Sequence, residues 1–146
     1  MIIRLAAALD LDALVEFNQA MALETEGKRL DPETLSLGVG AVFGDDSKGF
    51  YVVADDDGQV AAGLMVTFEW SDWRNSWFWW IQSVYVLPRY RGMGTYGRMY
   101  EYVKDLATAK GNVCGFRLYV ENSNGTARGV YEKLGMRESH YRMYEE

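Results

Sequence analysis

From "IQSVYVLP" to Gly111 the chain commits itself to one order of elements. The apolar, β-branched run before Pro88 reads as a strand, and the proline closes it because it has no N–H to give a ladder. "RGMGTYG" then places Gly92, Gly94 and Gly97 within six positions, and Tyr96, Met99, Tyr100, Val103 and Leu106 follow at helical spacing until Gly111 stops them. A strand, a glycine loop and an amphipathic helix in succession require a sheet with helices packed on it, an α+β or α/β architecture.

The rest of the chain extends that pattern. "MIIRL" predicts a first strand, and Asp10 is placed to cap a helix running through Leu14, Phe17 and Met21. "LETEGKRL" reads as an acidic turn, and a second helix starts at "DPE", where Asp31 caps and Pro32 suits the first helical position. "FYVVA" and "VAAGLMVTFEW" predict strands joined by a hairpin at "DDDGQ". After the glycine-loop helix come a strand at "NVCGFRLYV", a helix on Ala127, Val130, Tyr131 and Leu134, and a last strand at "SHYRMY". The expected order is β-α-α-β-β-β-α-β-α-β, with helices on both faces of a mixed sheet. At 146 residues and 49% hydrophobic content, residues 1–146 are expected to form a single domain.

Composition narrows the chemistry. One cysteine (Cys114) and one histidine (His140) give neither an internal disulfide nor a metal-ligand cluster, and they argue against a Ser-His-Asp hydrolase. No metal is expected. A net charge of −6 disfavours nucleic acid and anionic membrane as partners, and no stretch approaches the roughly 20 apolar residues of a membrane span, so a cytoplasmic location is expected. Locally the charge reverses: Val84 to Tyr100 holds Arg89, Arg91 and Arg98 and no acid.

"GMGTYG" matches the G-x-G-x-x-G of dinucleotide-binding folds. "PRYR" between strand and glycines, and fewer than 50 residues after them, do not suit that fold. Backbone amides at a helix N-terminus, with arginines beside them, suit a pyrophosphate in another setting. "VYVLPRYRGMG" resembles the coenzyme loop of the GNAT N-acetyltransferases, with their Gln/Arg-x-x-Gly-x-Gly/Ala signature. "NSNGTARGVYEKLGM" resembles the downstream motif of the same family, whose Asn, Ala and Tyr fall on Asn124, Ala127 and Tyr131. Aligned on Arg91, the signature has Gly94 in place but Tyr96 where Gly or Ala is usual, which predicts a narrowed loop.

The resemblance implies an acyltransferase with acetyl-CoA as cosubstrate and a primary amine of a small molecule or peptide as acceptor, joined by direct attack through a tetrahedral intermediate. The same fold without turnover, an acyl-CoA sensor, is the alternative. In such a fold the coenzyme contacts would come from Val84, Tyr85 and Val86 on a bulged fourth strand, Arg89 and Arg91, the loop Gly92, Met93, Gly94, Thr95, Tyr96 and Gly97, and Asn124. Tyr131 matches the tyrosine that protonates the departing thiolate. For the base, the usual glutamate position falls on Gln82, which leaves Glu69, Glu121, Glu24 and Glu26. Glu69 adjoins the aromatic stretch and is preferred. Glu24 and Glu26, on a wall of the acceptor site in this family, are expected to hold a cationic substrate. A homodimer is the assembly the resemblance allows.

All five tryptophans lie in "EWSDWRNSWFWW" (69–80). Alternation sends the consecutive Trp79 and Trp80 to opposite faces, as core. Trp70 and Trp73, in a polar turn-like segment, suit an acceptor pocket, where an indole can meet a protonated amine, or a subunit contact.

Overall fold

The computed structural model describes residues 1–146. Strand β1 (Ile2–Leu5) and a 3-10 turn (Ala8–Asp10) lead into α1 (Leu11–Glu26), followed by α2 (Pro32–Gly44). Strands β2 (Phe50–Asp56), β3 (Gln59–Ser71) and β4 (Ser76–Val86) come next, then α3 (Thr95–Lys110), β5 (Val113–Arg117) and α4 (Gly125–Lys133). The sheet runs β1-β2-β3-β4-β5, antiparallel except for the β4–β5 pair, which is parallel.

Local chemistry accounts for most boundaries. Asp31 caps α2 by accepting the Thr34 N–H at 2.9 Å, with Pro32 opening the helix. Asp57 and Gly58, both at positive φ, form the two-residue turn between β2 and β3. Gly111 ends α3 in the left-handed region. Asp10 does not cap α1 with its side chain. Its carboxylate accepts the Ala7 N–H and two guanidinium bonds from Arg4, which also reaches Asp55 on β2. α1 runs on through Glu26, so Glu24 and Glu26 lie on its last turn, not in a loop.

The core has two halves. On one face α3 packs Met99, Tyr100, Val103 and Ala107 against Val52, Leu64, Val66, Trp79 and Ile81. On the other, Leu14 and Phe17 of α1 and Val39 and Val42 of α2 cover Tyr51, Val53 and Tyr85. Both faces of β2 are therefore buried, which is why "FYVVA" shows no polar alternation. Gly63 lets α1 come close: a Cβ there would stand 2.9 Å from a Leu14 methyl.

The expected strand at "SHYRMY" does not form; residues 137–146 contain no strand. Alternation there sets Ser139, Tyr141 and Met143 against His140, Arg142 and Tyr144, and neither set is a uniform apolar face that could fix a register. Tyr141, Met143 and Tyr144 remain exposed.

Candidate active site

Two departures from a regular sheet create the site. β4 pairs with β5 only from Trp77 to Trp80, β5 stops at Arg117, and β4 continues alone on that side to Val86. Within this unaccompanied part, Gly63 faces Tyr85 while Met65 faces Gln82, so β4 holds one residue more than β3. That bulge centres on Ser83, at φ +50.

The extra residue inverts the alternation. Trp77, Trp79 and Ile81 face α3, yet beyond the bulge Val84 and Val86 face α3 and Tyr85 turns to α1. It also sets which main-chain groups turn away from β3. The Leu87 N–H bonds Ala61 on β3 at 2.9 Å, so by ladder alternation Tyr85 points its main-chain groups at β3 while Val84 and Val86 point theirs at the open edge. The expectation for Tyr85 is thereby corrected.

At the end of this edge lies the glycine loop. Gly92 and Gly94 have φ +74 and +76, and Gly94 starts α3 from the left-handed region. None of the N–H groups of Gly92, Met93, Gly94, Thr95, Tyr96 and Gly97 bonds to a carbonyl or side chain of the protein; the first such amide of the helix is that of Arg98, donating to the Gly94 carbonyl. Six consecutive free donors at the positive end of a 16-residue helix form an anion cradle.

The arginines around it are each anchored. Arg91 donates to the Val86 carbonyl at 2.8 Å and pairs with Glu24 at 2.9 Å, while Arg89 bonds the Gln59 amide oxygen and stacks on Tyr90. Arg98 donates to the Met1 carbonyl. Glu24 therefore does not stand free for a cationic substrate: it accepts from the Tyr85 hydroxyl at 2.8 Å and from Arg91, tying α1 to the bulged strand and the loop. Glu26 is exposed and lies 3.9 Å from Lys28.

Tyr131 and Tyr96 meet edge to face, ring centroids 5.4 Å apart, between α3 and α4. Burial raises the pKa of both phenols above their ordinary value. Tyr96 does not narrow the loop. Its ring goes into the core under α3, and only its main chain borders the cradle. Asn124 caps α4, its side-chain oxygen accepting the Ala127 N–H at 3.2 Å; this use of its carbonyl is one the motif did not reveal.

The face of the sheet beyond α1 and α2 carries the other candidates. Glu69 Oε1 accepts from Trp80 Nε1 at 2.8 Å and from Arg117 at 3.0 Å, and Oε2 takes no bond from the chain. Gln82 bonds the Thr67 hydroxyl. Arg117 lies 3.6 Å over the Phe78 ring, which in turn lies across Gly115. A cleft of about 340 Å3 opens here, with Glu69, Arg74, Phe78 and Arg117 in its wall and Trp73 on its rim. Trp73 is 87% exposed. Trp70 borders the cleft, but its ring packs on Trp77 on the α3 face, opposite Glu69. Arg117 is the residue sequence reasoning missed: a lone arginine at the end of a strand gives no signal until β4 and β5 are paired.

A sheet parting over a bulged strand, beside an amide-lined helix start, defines an acetyltransferase fold. The chain belongs to the acetyltransferase (GNAT) family, whose model matches residues 11–136. It is similar over 99% of its length to a possible acetyltransferase from Clostridium difficile 630, with 46% identity, 95% of that chain covered and a TM-score of 0.92. A predicted acetyltransferase from Clostridium acetobutylicum, solved with acetyl-CoA, shares the fold at 18% identity and a TM-score of 0.81, covering 99% of this chain and 95% of the other. So does an integron cassette protein from the Cole Harbour Salt Marsh metagenome, at 19% identity and 0.86, with 99% and 88% covered. No functionally curated protein matches the sequence. No helix is long and apolar enough to cross a membrane.

Proposed function

We propose that the protein transfers the acetyl group of acetyl-CoA to a primary amine of a small molecule or peptide. The observation that carries this reading is the open edge of β4 at Val84 and Val86, continuous with six free amides at Gly92 to Gly97. A pyrophosphate suits the amides, and a pantetheine arm, itself a chain of amides, suits the strand edge as an added strand. The Val84 N–H would stabilise the charge that develops on the thioester oxygen as the tetrahedral intermediate forms.

The amine nitrogen bonds the acetyl carbon and the carbon–sulfur bond breaks, so one proton must leave nitrogen and one must reach sulfur. Tyr131, a phenol neutral at pH 7 whose burial raises its pKa further, is the donor to sulfur. Glu69, through its unengaged Oε2, is the group proposed to take the proton from the amine by way of intervening water, since it pairs with Phe78, several residues along β4 from Val84. The acceptor would lie in the cleft beside Glu69, against Trp73 and the Phe78–Arg117 stack.

Thiol release from acetyl-CoA, measured across polyamines, amino acids, aminoglycosides and peptide N-termini, tests the proposal. Turnover on at least one amine is expected. Thermal stabilisation by acetyl-CoA without turnover on any would make the protein an acyl-CoA sensor. Absence of both would refute the coenzyme site.

A further inference from the structure

Arg91 stands immediately before the free amides of the loop, yet its guanidinium is engaged elsewhere. Nε donates to the Val86 carbonyl at 2.8 Å, and Nη2 donates to Glu24 Oε2 at 2.9 Å. The guanidinium carbon lies 5.3 Å from the centre of the Tyr85 ring. The first of these bonds bears on the coenzyme. Val86 turns its main-chain groups to the open edge of β4, so the carbonyl that an added strand would need as acceptor is already held by a side chain of the same protein.

The hold is light. The side chains of Arg91 and Glu24 are 46% and 43% exposed, and an ion pair at that exposure contributes little, so a stronger partner displaces it. A diphosphate is such a partner: it brings more than one negative charge and several acceptor oxygens to the planar fork of the guanidinium. Glu24 has a second anchor. Its Oε1 accepts from the Tyr85 hydroxyl at 2.8 Å, a bond in which Arg91 takes no part, so the carboxylate stays tied to the bulged strand when Arg91 leaves. Oε2 then carries its charge unanswered, held by the side chain that follows Val84, and that suits an ammonium group.

We propose that Arg91 is a latch opened by the coenzyme. It exchanges Glu24 and the Val86 carbonyl for the diphosphate, an amide N–H of the pantetheine arm takes its place on that carbonyl, and the freed Glu24 carboxylate receives the acceptor as a protonated amine. This rests on the coenzyme reading above and adds when the acceptor is admitted and in what charge state. The ammonium loses its proton afterwards, before nitrogen attacks. Without coenzyme, Glu24 stays answered by the arginine.

Glu24→Gln separates the two roles, because the amide keeps the shape and can still accept from Tyr85 but has no charge. Calorimetric titration with CoA reads the latch, and the acceptor KM for the best amine of the thiol-release panel reads the carboxylate. Opposite signs are expected: a Kd for CoA lowered roughly 2- to 5-fold, the scale of an exposed ion pair that no longer has to be broken, and an acceptor KM raised roughly 3- to 10-fold, the scale of one hydrogen bond. In an Arg91→Met background, where CoA binds more weakly, Glu24→Gln should leave CoA affinity unchanged, since no pair remains to break. Unchanged or weaker CoA binding in the single variant would overturn the proposal, because the pair would then present Arg91 to the coenzyme instead of withholding it. So would an equal gain in the Arg91→Met background, the mark of plain charge repulsion, or an unaltered acceptor KM. CoA binding without turnover on any amine would remove the acceptor role together with the transferase reading. Failure of the wild type to bind CoA is a separate outcome, and it would remove the coenzyme site itself.

Discussion

Asp10 is 1% exposed and carries a charge, which is tolerable only because Arg4 meets it with two nitrogens and the Ala7 N–H with a third. The Arg4 hydrogen bonds hold its pKa below the usual carboxylate value. A group with a depressed folded-state pKa stabilises the fold above its unfolded pKa and loses that contribution as pH falls through the folded one. Stability should therefore decline below about pH 4. Arg4→Met should cost about 3–5 kcal/mol at pH 7 by leaving the carboxylate buried and alone. That penalty should shrink on acidification as Asp10 takes up a proton; melting curves from pH 7 to pH 3 would show it, and a pH-independent penalty would contradict the ion-pair account. Tyr131 acts at the same scale. Tyr131→Phe keeps the ring that packs on Tyr96, so coenzyme affinity should hold while kcat falls about 100-fold or more. Unchanged kcat would remove Tyr131 as the proton donor.

At the scale of elements, the bulge in β4 does two jobs with one residue. It turns Tyr85 into the α1 half of the core, where its hydroxyl reaches Glu24, and it leaves Val84 and Val86 edge-facing beside the loop. Deleting Ser83 would remove the bulge while leaving Tyr85 on the α1 face and Val84 and Val86 on the α3 face, and β4 would lose the bend that the extra residue gives it. The deletion should therefore leave the fold intact and weaken coenzyme binding, read by denaturant titration and calorimetry. Unchanged coenzyme affinity would show the bulge to be incidental. The element order was legible from period and punctuation, because glycine, proline and capping residues act locally. The last strand was misread for the opposite reason: a strand exists only with a partner, and "SHYRMY" has alternation without a coherent face to bury.

Across the whole molecule, the cradle, the open strand edge and Tyr131 come from segments separated by α3, β5 and two loops, and a ligand spanning them should bind the folded chain alone. Acetyl-CoA at about 100 times its Kd should stabilise the protein by about 2.7 kcal/mol, a rise in Tm of roughly 5–10 °C for a chain of this size. No shift in a thermal melt would count against a preformed site. The tryptophan stretch also resolves only at this scale. One sequence of twelve residues supplies core (Trp79, 6% exposed), a carboxylate anchor (Trp80 to Glu69) and an exposed tip (Trp73), because a hairpin turn and two faces of one sheet divide it.

The sequence by itself determined the order of elements as far as α4 and the glycine loop that opens α3, since each depends on spacing within one segment and on residue types with strong local preferences. Charge partners were beyond it. That Glu24 is taken by Tyr85 and Arg91, Glu69 by Arg117 and Trp80, and that the Tyr96 hydroxyl is left with none, follows from contacts between residues 11 to 67 positions apart or from their absence. Such contacts are decided by the three-dimensional packing of helices on the sheet, and a carboxylate in a sequence looks the same whether it is free for a substrate or already answered by an arginine.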